Sequence, residues 1–322
     1  MRLERMKIFA GSSHPELATA ICSELGEPLG RLTNVRFSNE NMLLQVDENV
    51  RGCDVFVIQT ATAPLHDHIM ELFILIDALK HASAARVTAV LPYMPYVRSD
   101  KKDRPRISIT ARLMADLIET SGADRVLTVD LHSPQIQGFF RIPADHFLGA
   151  PIICDYLSRL DLSNTVLVAP DAGEVKDLIR FANALRLPMS IIDKRRTGDD
   201  ENALATNIIG DVRGKTAILI DDEIASGGTV VHSAELLHQH GARRVLAACT
   251  HAVFSGQASR RLHEAPLEEV IVTDTVPVLG EKCFPKLTKL SVAPLLARAI
   301  QAIHHGDSVS KLFANVMNPN IR

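Results

Sequence analysis

The chain has 322 residues, 46% of them apolar, and a formal net charge of −3 at pH 7. That length favours two domains, and that apolar content excludes a disordered chain. The charge gives no general attraction to nucleic acid or to a membrane surface, so any anion site must be built locally.

Short β-branched apolar runs alternate with longer amphipathic ones. DVFVIQ (54–59) reads as a strand and ELFILIDALKHA (71–82) as a helix. RVTAVLPY (86–93) and RVLTVDL (125–131) are strands, with a helix over 107–122 between them. The pattern then restarts. TVLVAP (165–170), MSIIDK (189–194), KTAILIDD (215–222), RVLAACTHAVF (244–254) and EVIVTDT (269–275) read as strands, with helices over 174–185 and 230–242. This alternation predicts an α/β fold with mainly parallel sheets flanked by helices. The halves echo each other weakly, DVFVIQ aligning with TVLVAP, which predicts two similar domains, 1–150 and 151–322, meeting near Pro151. The sequence hardly constrains the tail after Gly306, and it can pack back on the first domain.

No uninterrupted apolar run approaches the ~18 residues of a membrane span. The N-terminal MRLERMKIFAGSS lacks a signal-peptide apolar region. The five cysteines, Cys22, Cys53, Cys154, Cys249 and Cys283, form no C-x-x-C pair. A cytoplasmic protein with reduced thiols is expected.

Ligands of open α/β sheets bind beyond the carboxyl ends of strands. The polar loops therefore fall on one side. ILIDDEIASGGTV (218–230) ends an apolar run in Asp221 and Asp222 and follows them with Ser226, Gly227, Gly228 and Thr229. Glycine-rich backbone before a helix can wrap a phosphate with N–H groups and hydroxyls, while the acids accept from sugar hydroxyls or hold a cation. The plain alternative is a strand, a turn and a capped helix. An apolar strand, two acids and S/T-G-G-T resembles the ribose-5-phosphate loop of the phosphoribosyltransferase superfamily.

YVRSDKKDRPR (96–106) crowds Arg98, Lys101, Lys102, Arg104 and Arg106 into one loop, either a solvated face or a polyphosphate site. DLHSPQIQGFF puts His132 at a strand end, PDAGE puts Asp171 before a glycine turn, and DKRRTGDDEN opens with Lys194, Arg195 and Arg196.

Taken in order, FSNENM, RSDKKD, DLHSPQIQGFF, PDAG, DKRR, NIIGDV and DDEIASGGT resemble the ribose-phosphate diphosphokinase (phosphoribosyl-pyrophosphate synthase) family, over nearly the whole chain. The resemblance implies two phosphoribosyltransferase-like domains and transfer of the diphosphoryl group of ATP to the 1-hydroxyl of ribose 5-phosphate. It implies Phe37, Asn39 and Asn41 at adenine, with Arg98, Ser99 and Lys101 along the nucleotide. It implies magnesium on His132 and Asp171, with Lys194 and Arg196 as catalytic cations on a loop that closes over substrate. It implies Asp221, Asp222, Ala225, Ser226, Gly227, Gly228 and Thr229 around ribose 5-phosphate. A homo-oligomer is implied too, a hexamer built from dimers, with no nucleic-acid or membrane partner. The chain departs from the family pattern at four positions. Asn41 stands where a glutamate is common, Ser99 where a glutamine is, Ala225 where an aspartate is, and Glu174 where a glycine is. Two other readings are a non-catalytic regulatory paralogue and a nucleobase phosphoribosyltransferase.

Overall fold

The computed structural model describes residues 5–196, 204–309 and 312. They divide into two compact units. The first takes Met1–Leu148, Thr275–Pro277 and Ser291–Phe313, and the second takes Gly149–Asp274 and Val278–Leu290. The C-terminal helix thus belongs with the N-terminal half of the chain.

The first unit opens with β1 (Met6–Ala10) and α1 (Pro15–Leu25), then β2 (Leu32–Arg36) and β3 (Met42–Val46). It continues with β4 (Asp54–Ile58), α2 (Leu65–His81), β5 (Arg86–Leu91), α3 (Thr110–Thr120), β6 (Arg125–Val129) and β7 (Ala144–Phe147). The second unit runs α4 (Ala150–Leu157), β8 (Thr165–Ala169), α5 (Val175–Leu185), β9 (Met189–Arg196), β10 (Leu204–Ile209) and β11 (Thr216–Glu223). It ends with α6 (Gly228–Gln239), β12 (Arg244–His251), α7 (Ala258–Glu264), β13 (Glu269–Thr273) and β14 (Leu287–Leu290), before α8 (Ala293–His305) rejoins the first unit.

The sheet of the first unit has strand order β1-β4-β5-β6-β7, all parallel, and β2 and β3 form a separate antiparallel hairpin. The sheet of the second unit has order β10-β9-β8-β11-β12-β13-β14, parallel apart from the β9–β10 pair. Strand residues alternate faces with a period of two. Ala217 and Leu219 of β11 join a core with Leu237 of α6 and Leu262 of α7, whereas Ile218 and Ile220 join another with Ile153 of α4 and Leu178 of α5. A strand buried on both faces must read as a continuous apolar run, and AILI does.

Strand order corrects the register of the internal echo. β1 and β8 each precede an antiparallel pair, β2–β3 and β9–β10. β4 then pairs with β1 as β11 pairs with β8. The counterpart of DVFVI is therefore AILIDDE and not TVLVAP. The hairpin hides the true register, because LTNVR is mostly solvent-exposed and carries no apolar alternation.

Helix α8 is fastened within the first unit by charge as well as by packing. Asp54, fully buried at the start of β4, accepts from Arg86 Nε at 2.8 Å and Nη2 at 2.6 Å. Arg86 Nη2 also donates to the Ile303 carbonyl at 3.0 Å, and His304 Nδ1 lies 2.9 Å from Asp54 Oδ2. Removing one partner of a buried ion pair leaves an uncompensated charge. Arg86→Met should therefore lower unfolding free energy by about 3 kcal/mol in chemical denaturation. A loss well under about 1 kcal/mol, the range of an exposed pair, would mean the pair does not secure the helix.

Candidate functional site

In the first unit the candidate residues lie on the hairpin and on loops leaving the carboxyl ends of β5 and β6. The β2–β3 turn closes with Phe37 N donating to Asn41 O at 2.9 Å, and Asn39 Oδ1 accepts the Asn41 N–H at 3.2 Å. With that oxygen engaged, the Asn39 amide offers its NH2 group outward. Phe37, Asn39 and Asn41 are all exposed, Phe37 by 49%. An exposed aromatic ring beside two amides suits a planar, polar-edged ligand.

Two contacts secure the hairpin to α2. Arg36 Nη1 donates to Asp67 Oδ2 at 2.7 Å, and Asn34 Nδ2 donates to Glu71 Oε1 at 2.8 Å. Glu71 is buried, and its Oε2 accepts from Ser12 N, Ser12 Oγ and Gln59 Nε2 at 2.9, 2.8 and 2.7 Å. A buried carboxylate is tolerated when its lone pairs are filled this way.

The basic loop follows β5. Met94 and Val97 are buried and pin its start, Tyr96 turns with φ +61°, and Ser99 N donates to Tyr96 O at 3.0 Å. Arg98, Lys101 and Lys102 are exposed and Ser99 is half-buried. After β6, Asp130 takes φ +32°, Leu131 is buried with its N–H donated to His146 Nε2 at 3.0 Å, and His132 is exposed.

In the second unit β11 lies between β8 and β12, so the loops after these strands are neighbours. Asp221 and Asp222 lie near the end of β11, and Asp221 Oδ1 accepts the Asp222 N–H at 2.9 Å. Asp171 lies on the loop after β8, where its Oδ1 accepts the Gly173 N–H at 2.8 Å. Glu174, at the start of α5, brings a third carboxylate: one oxygen each of Glu174, Asp221 and Asp222 lie within 4.8 Å of one another. Burial, then Asp222, then Glu174, push the Asp221 carboxyl up to about 9. Such a cluster favours a proton or a cation, and hard divalent ions take oxygen donors of this kind. The backbone at Glu174 is ordinary, with φ −80° and ψ −3°, so replacing a glycine there demands no special conformation. Its consequence is electrostatic, which a reading of PDAGE as a plain turn does not reveal.

The glycine turn runs directly into α6. Gly227 is the cap, with φ +76°, and a Cβ there would meet Leu262 Cγ at 3.4 Å. Gly228 faces more open space, where a Cβ would come no nearer than 3.7 Å to Ser226 Oγ. Ser226, Gly228 and Thr229 are exposed and Ala225 is half-buried. The positive end of a 12-residue helix and the exposed hydroxyls make this an anion-accepting turn.

The structure thus gathers Asp221, Asp222 and the Ala225–Thr229 turn, with Glu174, at one strand end. The two residues expected to carry metal are divided between the units, His132 in the first and Asp171 in the second. Lys194 and Arg196 lie at the end of β9, and their side chains fall outside the described residues, as does all of 197–203. Among the described residues no helix is long and apolar enough to cross a membrane.

The family model for the N-terminal domain of ribose phosphate pyrophosphokinase matches residues 6–122, and that for the phosphoribosyl synthetase-associated domain matches residues 204–314. A ribose-phosphate pyrophosphokinase of Parasynechococcus marenigrum is 50% identical over 311 residues, covering 96% of this chain and 94% of that protein. That of Oceanobacillus iheyensis is 48% identical over 308 residues, covering 96% and 97%. The crystal structure of phosphoribosylpyrophosphate synthetase from Mycobacterium smegmatis superposes with a TM-score of 0.90 at 44% identity, over 94% of this chain and 100% of that one. With both halves matched and the relatives covered nearly end to end, the chain belongs to the ribose-phosphate pyrophosphokinase family.

Proposed function

We propose that this chain carries out the reaction of its family, making phosphoribosyl pyrophosphate and AMP from ribose 5-phosphate and ATP. The 1-hydroxyl oxygen attacks the β-phosphorus, the bond between that phosphorus and the α,β-bridging oxygen breaks, and AMP departs with that oxygen. The observation that carries the reading is the pairing, at the end of β11, of two acids with a glycine turn capping α6. That pairing suits the two chemistries of one sugar phosphate, hydroxyls on carboxylates and phosphate on amides. A nucleobase phosphoribosyltransferase would use this loop but would leave the first unit without a role. A regulatory paralogue would have no need of the acids and cations together.

In this reading Phe37, Asn39 and Asn41 receive adenine, and Arg98, Ser99 and Lys101 meet the nucleotide's phosphates. Lys194 and Arg196 face the transferring group, whose charge is spread over its oxygens, so positioning and charge stabilisation do most of the work. His132 and Asp171 would serve as magnesium ligands, and the three-carboxylate cluster would supply further oxygen donors of the right chemistry. When bound, the ion neutralises phosphate charge.

Residues 1–150 belong to the ATP-side domain and 151–322 to the sugar-side domain, with α8 of the latter packing back on the first unit. A homo-oligomer, a hexamer built from dimers, is part of the proposal, supported by the facing pair Val35 and Leu43, 40% and 43% exposed, on the hairpin. A cytoplasmic setting suits the five free cysteines, four of them buried.

The direct test is AMP release by purified protein given magnesium, ATP and ribose 5-phosphate. AMP should appear only when all three are present, and folded protein that makes none contradicts the reading. Gly228→Val should weaken ribose-5-phosphate affinity about tenfold or more, by blocking approach to the amides, with little change in melting temperature. Unchanged affinity together with a large stability loss would leave a plain turn.

Lys194→Ala and Arg196→Ala should each lower turnover by about 10²–10³ while moving the Michaelis constants little, as for loss of one preorganised charge-stabilising group. Near-normal turnover in both would remove them from the centre.

The carboxylate cluster gives a pH dependence. Because the folded-state value of Asp221 lies above its unfolded value, the folded chain retains a proton that the unfolded chain releases above about pH 4. That contribution to stability is complete below the unfolded value and fades as pH rises toward about 9. Without divalent cation, the melting temperature of Glu174→Gln should fall less between pH 5 and 9 than that of the wild type. Identical slopes would show that Glu174 does not load the cluster.

A further inference from the structure

The turn 224–227 is held from behind by residues 254–261. Phe254 N donates to the Ile224 carbonyl at 3.1 Å, and Ser255 N to the Ala225 carbonyl at 2.9 Å. The next carbonyl, that of Ser226, accepts from Arg261 Nη1 on α7 at 3.3 Å. Three consecutive carbonyls are thus drawn toward 254–261.

The only cis peptide among the described residues is Ala63–Pro64, so these peptides are trans. In a trans peptide the C=O and the following N–H point in opposite directions. Tying the carbonyls of 224, 225 and 226 to one side turns the N–H groups of Ala225, Ser226 and Gly227 to the other. Successive amides facing one way make an anion-binding concavity. Two of the ties come from backbone, which any side chains at 254 and 255 supply. The third comes from a side chain, and it controls the peptide whose N–H belongs to Gly227, the left-handed cap of α6.

Gly227 has special need of such a tie. Lacking a Cβ, it reaches many backbone conformations, and its neighbour Ser226 is exposed. If the 226–227 peptide rotates, a carbonyl oxygen replaces an N–H on the face that meets the anion, exchanging attraction for repulsion.

We infer that Arg261 is a positioning residue for the phosphate of ribose 5-phosphate, holding the Ser226–Gly227 peptide with its carbonyl away from the anion and its N–H toward it. The inference rests on the proposed role of Ala225–Thr229. Its guanidinium also places a positive charge behind the loop. The neighbouring Arg260 provides a control, because it carries the same charge but pairs with Glu264 at 2.8 Å.

The test is calorimetric titration of the intact protein with ribose 5-phosphate, beside melting temperatures and steady-state kinetics. Arg261→Gln should weaken ribose-5-phosphate binding about tenfold, the scale of losing a charged hydrogen bond, and raise its Michaelis constant alike. The Michaelis constant for ATP and the melting temperature should move little. Arg261→Lys should recover part of the affinity, since an ammonium still donates to a carbonyl, and Arg260→Gln should bind like the wild type. If Gly228→Val weakens binding while Arg261→Gln does not, or if Arg260→Gln weakens it equally, the positioning role is overturned. If wild-type protein binds ribose 5-phosphate and Gly228→Val leaves that binding unchanged, the phosphate-loop reading itself fails.

Discussion

A trans peptide group cannot present its carbonyl and its N–H on the same side, and the proposed sugar-phosphate site depends on that constraint. An anion site made of backbone needs several consecutive N–H groups turned one way. It therefore needs a partner for every carbonyl turned the other way. Here the partners are Phe254 N, Ser255 N and Arg261. They are available because β12 runs beside β11 and carries the chain on to 254 and α7. Parallel pairing of two buried strands thus sets the geometry of a loop several residues beyond both.

The acids at the same strand end follow from the same architecture. β11 is central, so its end is flanked by the loops after β8 and β12, and side chains there are partly withdrawn from water. Like charges so placed repel unless a proton, a cation or hydroxyl donors intervene. Asp221 and Asp222 alone would meet that condition with a sugar. Glu174 tightens it, adding a third carboxylate within 4.8 Å of the other two. The same element order recurs in the first unit, where β4 holds the place of β11 and the β2–β3 hairpin that of β9–β10. The candidate adenine residues and the candidate catalytic cations thus lie on topologically equivalent hairpins.

What can be read from sequence is what depends on local pattern. AILIDD announces a strand buried on both faces, and IASGGT announces a turn into a helix, because apolar runs, acids and glycines act where they stand. The limits of α2 are less legible. The helix starts at Leu65 rather than at Glu71, because His66, Asp67 and His68 interrupt its apolar stripe. The hairpin escapes notice because its outward strand is polar, and its true support, Glu71, is an acid at the head of an apolar run. Arg261 is invisible for a different reason. Its partner is a backbone carbonyl, which leaves no trace in residue types, and 35 residues separate the two in sequence. The return of α8 to the first unit likewise depends on Asp54, Arg86 and His304, contacts between distant parts of the chain.

The central claim is that backbone amides at 225–227, and not the basic loop of the first unit, hold the sugar's phosphate. A crystal structure of the protein with ribose 5-phosphate tests it most directly. The account predicts phosphate oxygens about 2.7–3.2 Å from the nitrogens of Ala225, Ser226 and Gly227, with sugar hydroxyls on Asp221 and Asp222. A phosphate seated on Arg98 and Lys101, or a Ser226–Gly227 peptide turned with its carbonyl toward the anion, would contradict it.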